Sequence, residues 1–335
     1  MPRYILRRVV ASLVLIVAVT TVTFVMQRVL PIDPVESLVG PIRTEERLQA
    51  LREQLGLDKP LIRQYTDYMA GLARGDLGHA WHTGQAVTSD LASRFAASFE
   101  LGLVALIIGV PLGIVLGVVS ARRRDAVADY AVRGLSLSFI ALPEFLVALL
   151  AVYVFFFLFG IAPPPTGRLG TTVPQPHEVT GLYLVDSTLE RNWTALRSAA
   201  GHLVLPGLTL AMVLMSYFAR FTRASMLEVL GSDFVLAARS FGLRERTIVY
   251  RYALKTAMLP IISVLGIAIG AALGGLVVIE LVFAWPGLGR YAVESAKLND
   301  LAAVQGFMLL SVAIYAVVNL AVDILQAAFD PRIRY

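Results

Sequence analysis

The chain has 335 residues, 57% of them hydrophobic and 16% charged, whereas a soluble domain has roughly 45–50% and about 25%. The apolar residues form long blocks, which indicates a polytopic membrane protein rather than a large soluble core. The net charge of +5 does not indicate nucleic-acid binding, because the basic residues lie beside the apolar blocks and not in one stripe. The absence of cysteine excludes disulfides, thiolate metal sites and a cysteine nucleophile.

Six apolar segments are long enough to cross a hydrocarbon core, which takes about 20 residues. They are residues 9–30, 99–119, 135–161, 203–221, 260–279 and 302–327. The first segment is too long for the core of a signal peptide and no cleavage site follows it, so we expect a retained span. Pro143 and Glu144 interrupt the third segment, and Arg220 and Arg223 weaken the fourth.

The distribution of lysine and arginine predicts that both termini are cytoplasmic. With the N-terminus inside, the cytoplasmic pieces carry 16 basic and 6 acidic residues, whereas the outer pieces, about twice as long, carry 13 and 15. The triplet Arg122-Arg123-Arg124 is interpreted as a topology anchor on the cytoplasmic side.

Two outer regions connect the spans. Residues 51–56 and 65–72 predict short amphipathic helices on the membrane surface, followed by a turn at 75–78. This region is either a docking surface for a binding protein or a lid that stiffens the first two spans. The second outer region, 162–202, is predicted to be a surface loop, with a docking or plug role as the alternative. His79 and His82 lack a third ligand nearby and are interpreted as surface residues, so no metal site is expected.

Glycines recur every four residues in two spans, an arrangement that lets helix backbones approach closely. They are Gly109, Gly113 and Gly117 in the second span and Gly266, Gly270 and Gly274 in the fifth. One interpretation is tight helix packing, and the other is a lining of small residues along a translocation path. The break at Pro143 and Glu144 has the same two interpretations, because the carbonyls that it frees need new partners.

The outer end of the fifth span predicts a tight turn. Its residues include Glu280, Trp285, Pro286, Gly287 and Arg290. We expect Glu280 to pair with Arg290, either as a structural ion pair or as part of an outer gate.

The chain contains no sequence for hydrolysing ATP. Its only lysines are Lys59, Lys255 and Lys297, and none follows a glycine as a phosphate-binding loop requires. Ion coupling is also disfavoured, because Glu144 is the one acidic residue well inside a predicted span. A transporter built from this chain therefore needs an external energy source.

The loop between the fourth and fifth spans, residues 220–260, has a pattern of its own. Ser232 and Asp233 offer N-cap oxygens to a two-turn helix over 234–241, and Gly242 predicts a left-handed stop. A second, basic helix is predicted over 244–255. An eight-residue helix is marginal alone in water, so we expect its apolar residues Phe234, Val235 and Leu236 to be covered. Either a partner protein or the chain's own bundle would cover them.

The stretch DFVLAARSFGLRERTIVYRYALKTAMLP, residues 233–260, resembles the E-A-A-x-x-x-G loop of the permease subunits of ATP-binding-cassette (ABC) importers. Ala237, Ala238 and Gly242 occupy motif positions, and Leu236 replaces the motif glutamate. The start MPRYILRRVVASLVLIVAVTTVTFVMQRVLPIDP, the segments 51–78 and 280–290, and the end FDPRIRY are similar to the dipeptide and oligopeptide B-type permeases of that class.

The resemblance implies an all-α integral membrane protein with six transmembrane helices and the importer-permease (MetI-like) fold. Residues 1–98 would form an N-terminal span with an extracytoplasmic region, and 99–335 a five-helix core. The loop helix would be the coupling contact with an ATPase. The residues implied in it are Asp233, Phe234, Leu236, Ala237, Ala238, Arg239 and Gly242.

The resemblance also implies a setting in the bacterial cytoplasmic membrane. The implied partners are a homologous second permease, cytoplasmic ATPase subunits that hold ATP and magnesium, an extracytoplasmic substrate-binding protein, and membrane lipid. The chain itself would hold no cofactor and catalyse no reaction. Di- and oligopeptides are the expected cargo, with nickel chelates, glutathione or haem precursors as alternatives. An ion-coupled secondary carrier is the alternative from a different class.

Overall fold

A computed structural model describes residues 2–29, 45–54 and 58–329. The helices are α1 Pro2–Val29, α2 Glu45–Gln54, α3 Leu61–Ala73, α4 Val87–Arg122, α5 Val127–Ala141, α6 Glu144–Ala151, α7 Tyr183–Leu189, α8 Trp193–Leu230, α9 Asp233–Ser240, α10 Glu245–Thr247, α11 Leu254–Val282, α12 Leu288–Lys297 and α13 Leu301–Phe329. A π-helical segment, Val152–Leu158, continues α6, and a second, Ile248–Ala253, joins α10 to α11. The short strands β1 His79–Ala80 and β2 Gln85–Ala86 pair antiparallel.

Among the described residues, five stretches of helix are long and apolar enough to cross a membrane. They are Leu6–Met26, Val87–Arg122, Trp193–Leu230, Glu245–Val282 and Leu301–Ala328. A sixth crossing exists if the pair Val127–Ala141 and Glu144–Leu158, which meet at 105°, counts as one span. The predicted all-α membrane fold is confirmed, and the predicted break in the third apolar segment is present between α5 and α6.

The break in the third span follows from proline chemistry. Leu142 has extended backbone angles, as expected for a residue that precedes proline. Pro143 then stands immediately before α6, where its missing N–H removes no helical hydrogen bond. Pro111, Pro206 and Pro260 lie inside α4, α8 and α11, so a proline alone does not separate two helices here.

The chain divides into two compact units. Of the described residues, the first contains 96–289 and 317–329, and the second contains 2–29, 45–54, 58–95 and 290–316. In the first unit α8 packs along α5, α7 and α11, and α6 packs against α8 and α11. A continuous apolar core includes Leu101, Leu210, Phe218, Ile261 and Trp285. The predicted functional boundary at residue 98 stays a prediction.

In the second unit α3 packs on α1. The Thr21 and Tyr65 hydroxyls are 2.7 Å apart, and the ring of Phe24 lies edge-on to that of Tyr65. The predicted helix over 65–72 lies inside α3. Of the predicted helix over 51–56, residues 51–54 are the end of α2, and residues 55–56 lie outside the described residues. Residues 30–44 and 330–335, part of the family resemblance, lie outside the described residues.

The two histidines of the predicted outer region have different surroundings. The Nδ1 atom of His82 lies 2.7 Å from Oδ2 of the buried Asp300, whereas His79 is exposed. Within the described part of the chain no group of three side chains has the geometry to hold a metal ion.

Candidate functional site

The loop helix α9 lies where the sequence predicts it and leaves most of its apolar side chains uncovered. It packs on the π-helical segment Ile248–Ala253, and Val235 is fully buried there. Phe234, Leu236 and Phe241 are 44%, 64% and 84% exposed. Of the three side chains expected to need a cover, the described part of the chain buries only Val235.

The two ends of α9 are formed differently from each other. Ser232 stands at the N-cap position with extended backbone angles, but its hydroxyl accepts no hydrogen bond from an amide of α9, so the predicted Ser232 cap is wrong. Its hydroxyl donates instead to the carbonyl of Val229, at the end of α8. At the other end Gly242 has φ of +71°, as the predicted left-handed stop requires. The amide of Leu243 then donates to the carbonyl of Ala238 at 3.2 Å.

The surface around α9 is apolar and basic. We name residues 233–246 the coupling segment. Ala237 is exposed and Ala238 half-buried, while Arg244 and Arg246 are exposed. The Arg239 Nε atom lies 2.6 Å from Glu245 Oε1, but a pair this exposed contributes little stability. The predicted second helix is present and runs on through Pro260 into the fifth span without a break.

A buried ion pair holds the end of α8 that leads into the coupling segment. Arg223 donates to Asp129 through Nε at 2.7 Å and Nη2 at 2.8 Å, and Ser120 donates to the same carboxylate. Asp129 is fully buried. The ends of α4, α5 and α8 are therefore tied at one point. The sequence identified Arg223 only as a residue that weakens a span.

Three of the four glycines of α4, Gly109, Gly113 and Gly117, face α8 at very short range. A Cβ atom at Gly109 would lie 2.6 Å from the Ala211 carbonyl oxygen, and one at Gly113 would lie 2.6 Å from the Phe218 Cβ. At Gly117 it would lie 2.5 Å from the Thr222 Cβ. These distances leave no room for a side chain on this face of α4.

The glycines of α11 differ in how closely other atoms approach them. A Cβ atom at Gly266 would lie 2.9 Å from the Asn319 Oδ1 atom, whereas one at Gly274 would meet open space. Gly270 is half-buried. The neighbouring Gly275, which the four-residue repeat omits, has a much closer contact. Its Cβ position is occupied by the carboxylate of Glu144. A lining role for either glycine series stays a prediction.

The turn between α11 and α12, residues 283–287, is closed by buried polar contacts. Glu280 is fully buried and accepts a hydrogen bond from the Ser98 hydroxyl, which in turn accepts from the Leu288 amide at 2.7 Å. Trp285 is 1% exposed, and its indole N–H donates to the Ala97 carbonyl at 2.9 Å. The turn is thereby joined to α4.

The predicted turn is present, but its left-handed residue is not a glycine. Ala284 has φ of +51°, whereas Gly287 is needed because a Cβ atom there would overlap the Glu280 carboxylate. Pro286 is exposed. Arg290 pairs with Glu294 at 2.7 Å, and its expected pairing with Glu280 stays a prediction.

A second buried ion pair lies beside this turn. The Arg168 Nη2 atom is 2.7 Å from Glu100 Oε2, with the two side chains each 7% exposed. The Arg168 guanidinium also stacks over the Tyr183 ring at 3.5 Å, and burial raises the pKa of Tyr183. The ion pair between Arg168 and Glu100 therefore joins the 162–202 region to α4. The sequence did not single out Arg168, because one arginine in a polar loop gives no signal.

Comparison with known proteins identifies the class of this chain. The model of the binding-protein-dependent transport system inner membrane component matches residues 109–335, and the model of the N-terminal region of such components matches residues 1–102. The chain belongs to the family of binding-protein-dependent transport system inner membrane components. Family membership confirms the importer-permease class that the coupling loop predicted.

Several known permeases are similar to this chain over nearly its whole length. A probable D,D-dipeptide transport system permease of Escherichia coli is 41% identical over 98% of this chain and 97% of its own length. Dipeptide permeases of E. coli and Alkalihalophilus pseudofirmus are 34% and 33% identical, over 100% and 99% of this chain and 99% of their own lengths. Among solved structures, the MetNI methionine ABC transporter in inward-facing conformations has a chain that aligns at 17% identity. Its TM-score is 0.48, over 73% of this chain and 96% of that chain.

Proposed function

We propose that this chain is one of two channel-forming subunits of an ABC importer that moves di- or oligopeptides into the cytoplasm. Family membership over almost the whole chain supports a permease role. The relatives described above are permeases of dipeptide or D,D-dipeptide transport systems, which supports peptide cargo. The family description supports an inner-membrane location and dependence on a binding protein.

The exposed apolar side chains of the coupling segment carry the proposal of an ATPase partner. An eight-residue helix is marginally stable by itself, and here Leu236 and the C-cap residue Phe241 are mostly exposed to solvent, so burying them against a partner would stabilise it. Exposed apolar side chains beside exposed arginines form the kind of surface that a protein partner buries. We therefore assign Leu236 and Phe241 as anchors in a groove of the ATPase.

The connections of the coupling segment suggest how ATP hydrolysis moves the spans. It follows α8 after Gly231 and enters α11 through the segment Ile248–Ala253. Because Asp129 binds Arg223 of α8 and Ser120 of α4, a pull on the coupling segment acts on several spans together. Closure of two ATPases would then rock these spans as a rigid body and open the path to the outside.

The experiment is reconstitution of the chain with the second permease, the ATPases and the binding protein in liposomes. We expect uptake of a labelled dipeptide that requires ATP on the cytoplasmic side. The same liposomes without this chain are the control. Uptake that persists without ATP and follows an ion gradient would contradict the proposal and favour a secondary carrier.

Orientation is tested in the same complex, since the chain has no native cysteine. Single cysteines in place of Asn192 and Arg123 lie on opposite sides in the proposed topology. An impermeant thiol reagent applied outside should label only the first, and the reverse pattern would overturn the orientation.

A further inference from the structure

The break in the third span places a carboxylate against a glycine of the fifth. Glu144 is half-buried, and its Oε atoms occupy the space where Gly275 would carry a Cβ atom. Gly275 lies seven residues before the end of α11 at Val282, or about 10 Å along the helix axis. This position is in the half of α11 farthest from the coupling segment.

Glu144 has no ion-pairing or hydrogen-bonding partner among the residues that the structure describes. An unpaired carboxylate within a membrane span does not face lipid, because ionised groups there are expensive unless they meet water or a cation. A half-buried Glu144 therefore borders a water-filled path or a cation that the described chain does not supply.

The backbone at the start of α6 favours the ionised form of Glu144. Glu144 is in the first turn of α6, where the helix dipole stabilises an ionised carboxylate. The carbonyl of Phe139, in the last turn of α5, loses its helical donor because residue 143 is proline.

An unpaired carboxylate is a strong acceptor for a cationic hydrogen-bond donor. A primary ammonium is such a group, with three N–H donors and a positive charge. A peptide carries such a group at its N-terminus. We propose that Glu144 binds the α-ammonium group of the peptide cargo and that Gly275 leaves the space in which this carboxylate lies. This inference rests on the proposed function and names the part of the cargo that is recognised.

The first arm of the test measures charge at the site without relying on transport. A single cysteine replaces Leu142, which is 39% exposed and two residues from Glu144. Its rates with the cationic trimethylammonium-ethyl and the anionic sulfonatoethyl methanethiosulfonates are compared in the reconstituted complex. We expect the ratio of cationic to anionic rates to fall at least about fivefold in Glu144→Gln, because the attracting charge is gone.

Two adjacent glycines give a matched control. Gly275→Ala should also lower the rate ratio, since a methyl group would displace the carboxylate while leaving it charged. Gly274→Ala should leave the ratio unchanged, because a Cβ atom there meets nothing within 4 Å. An unchanged ratio in both Glu144→Gln and Gly275→Ala would overturn the proposal.

The second arm identifies the ligand. Trialanine and trialanine amide should each slow labelling by the cationic reagent, whereas N-acetyl-trialanine should not, and Glu144→Gln should abolish the protection. Equal protection by the acetylated peptide would show that the ammonium group is not recognised. A charge effect without protection by any peptide would assign Glu144 to a cation of a partner subunit and overturn the proposal. Absence of ATP-driven uptake by the wild type is a separate result that bears only on the proposed function.

Discussion

The coupling segment and the α11–α12 turn are both short connections next to the same helix, yet they are built in opposite ways. The turn buries Glu280 and Trp285 and joins their polar atoms to α4 by hydrogen bonds. The coupling segment buries only Val235 of its helix and leaves Leu236 and Phe241 exposed. A connection whose polar atoms are paired and whose apolar atoms are buried is complete within the chain. A connection that leaves large apolar side chains exposed indicates a surface that a partner covers.

Substitutions near the turn should therefore affect stability, and those in the coupling segment should affect assembly. The largest expected effect is at the ion pair beside the turn. Arg168→Met leaves Glu100 buried without its cation, which destabilises by about 3–5 kcal/mol. Thermal unfolding in detergent measures it. Arg124→Met is the matched control, because Arg124 and Asp125 are 69% and 64% exposed and their pair is worth at most about 1 kcal/mol. Equal melting temperatures for the two variants would contradict the claim that the buried ion pair stabilises the protein more than the exposed one.

The contact between α4 and α8 gives the next largest effect. Gly113→Leu forces four heavy atoms into a space bounded by Phe218 and Met215, and overpacking destabilises by about 1–3 kcal/mol or more. Gly102 lies on the same helix with nothing within 4 Å of its Cβ position, so Gly102→Leu should unfold like the wild type. If Gly113→Leu also melts like the wild type, α4 and α8 do not touch in the membrane.

The smallest expected effect is a pH dependence in the 162–202 region. Burial raises the pKa of Asp186, but hydrogen bonds from Thr180 and from the Gly181 amide outweigh it, so the pKa lies below its ordinary value. A lowered folded-state pKa gives stability that is present above the unfolded pKa of about 3.9 and is lost as the pH falls through the folded value. Asp186→Asn should therefore show a shallower loss of stability on acidification. Parallel acid profiles would show that Asp186 does not contribute.

Local features of the sequence predicted the elements that the structure contains. Proline and glutamate at 143 and 144 predicted the broken third span, and the Gly242 stop predicted the end of α9, because each effect is decided by one or two neighbouring residues. The helices are nevertheless longer than the predicted spans. α4 begins at Val87, since bilayer thickness sets the minimum length of a span and not where its helix starts.

Contacts between distant residues were not predictable in the same way. Nothing local distinguishes Gly275 from Gly274, yet only the first meets Glu144. Likewise, Ala284 takes the left-handed position beside two glycines, because the contacts of the whole turn override local preference. The partners of Arg168 and Asp129 come from other helices, and a single sequence carries no record of which helices meet.

The central claim is that exposed side chains of the coupling segment bind the ATPase. It is tested most directly by the amount of ATPase that co-purifies with the tagged double variant Leu236→Ser with Phe241→Ser. Both side chains are exposed, so the free energy of unfolding should stay within about 0.5 kcal/mol of that of the wild type. Loss of two apolar anchors should lower ATPase retention at least about tenfold. Val235→Ser, at the buried position, is the control that should lower stability instead. Wild-type retention of the ATPase by the double variant, together with wild-type uptake, would contradict the account.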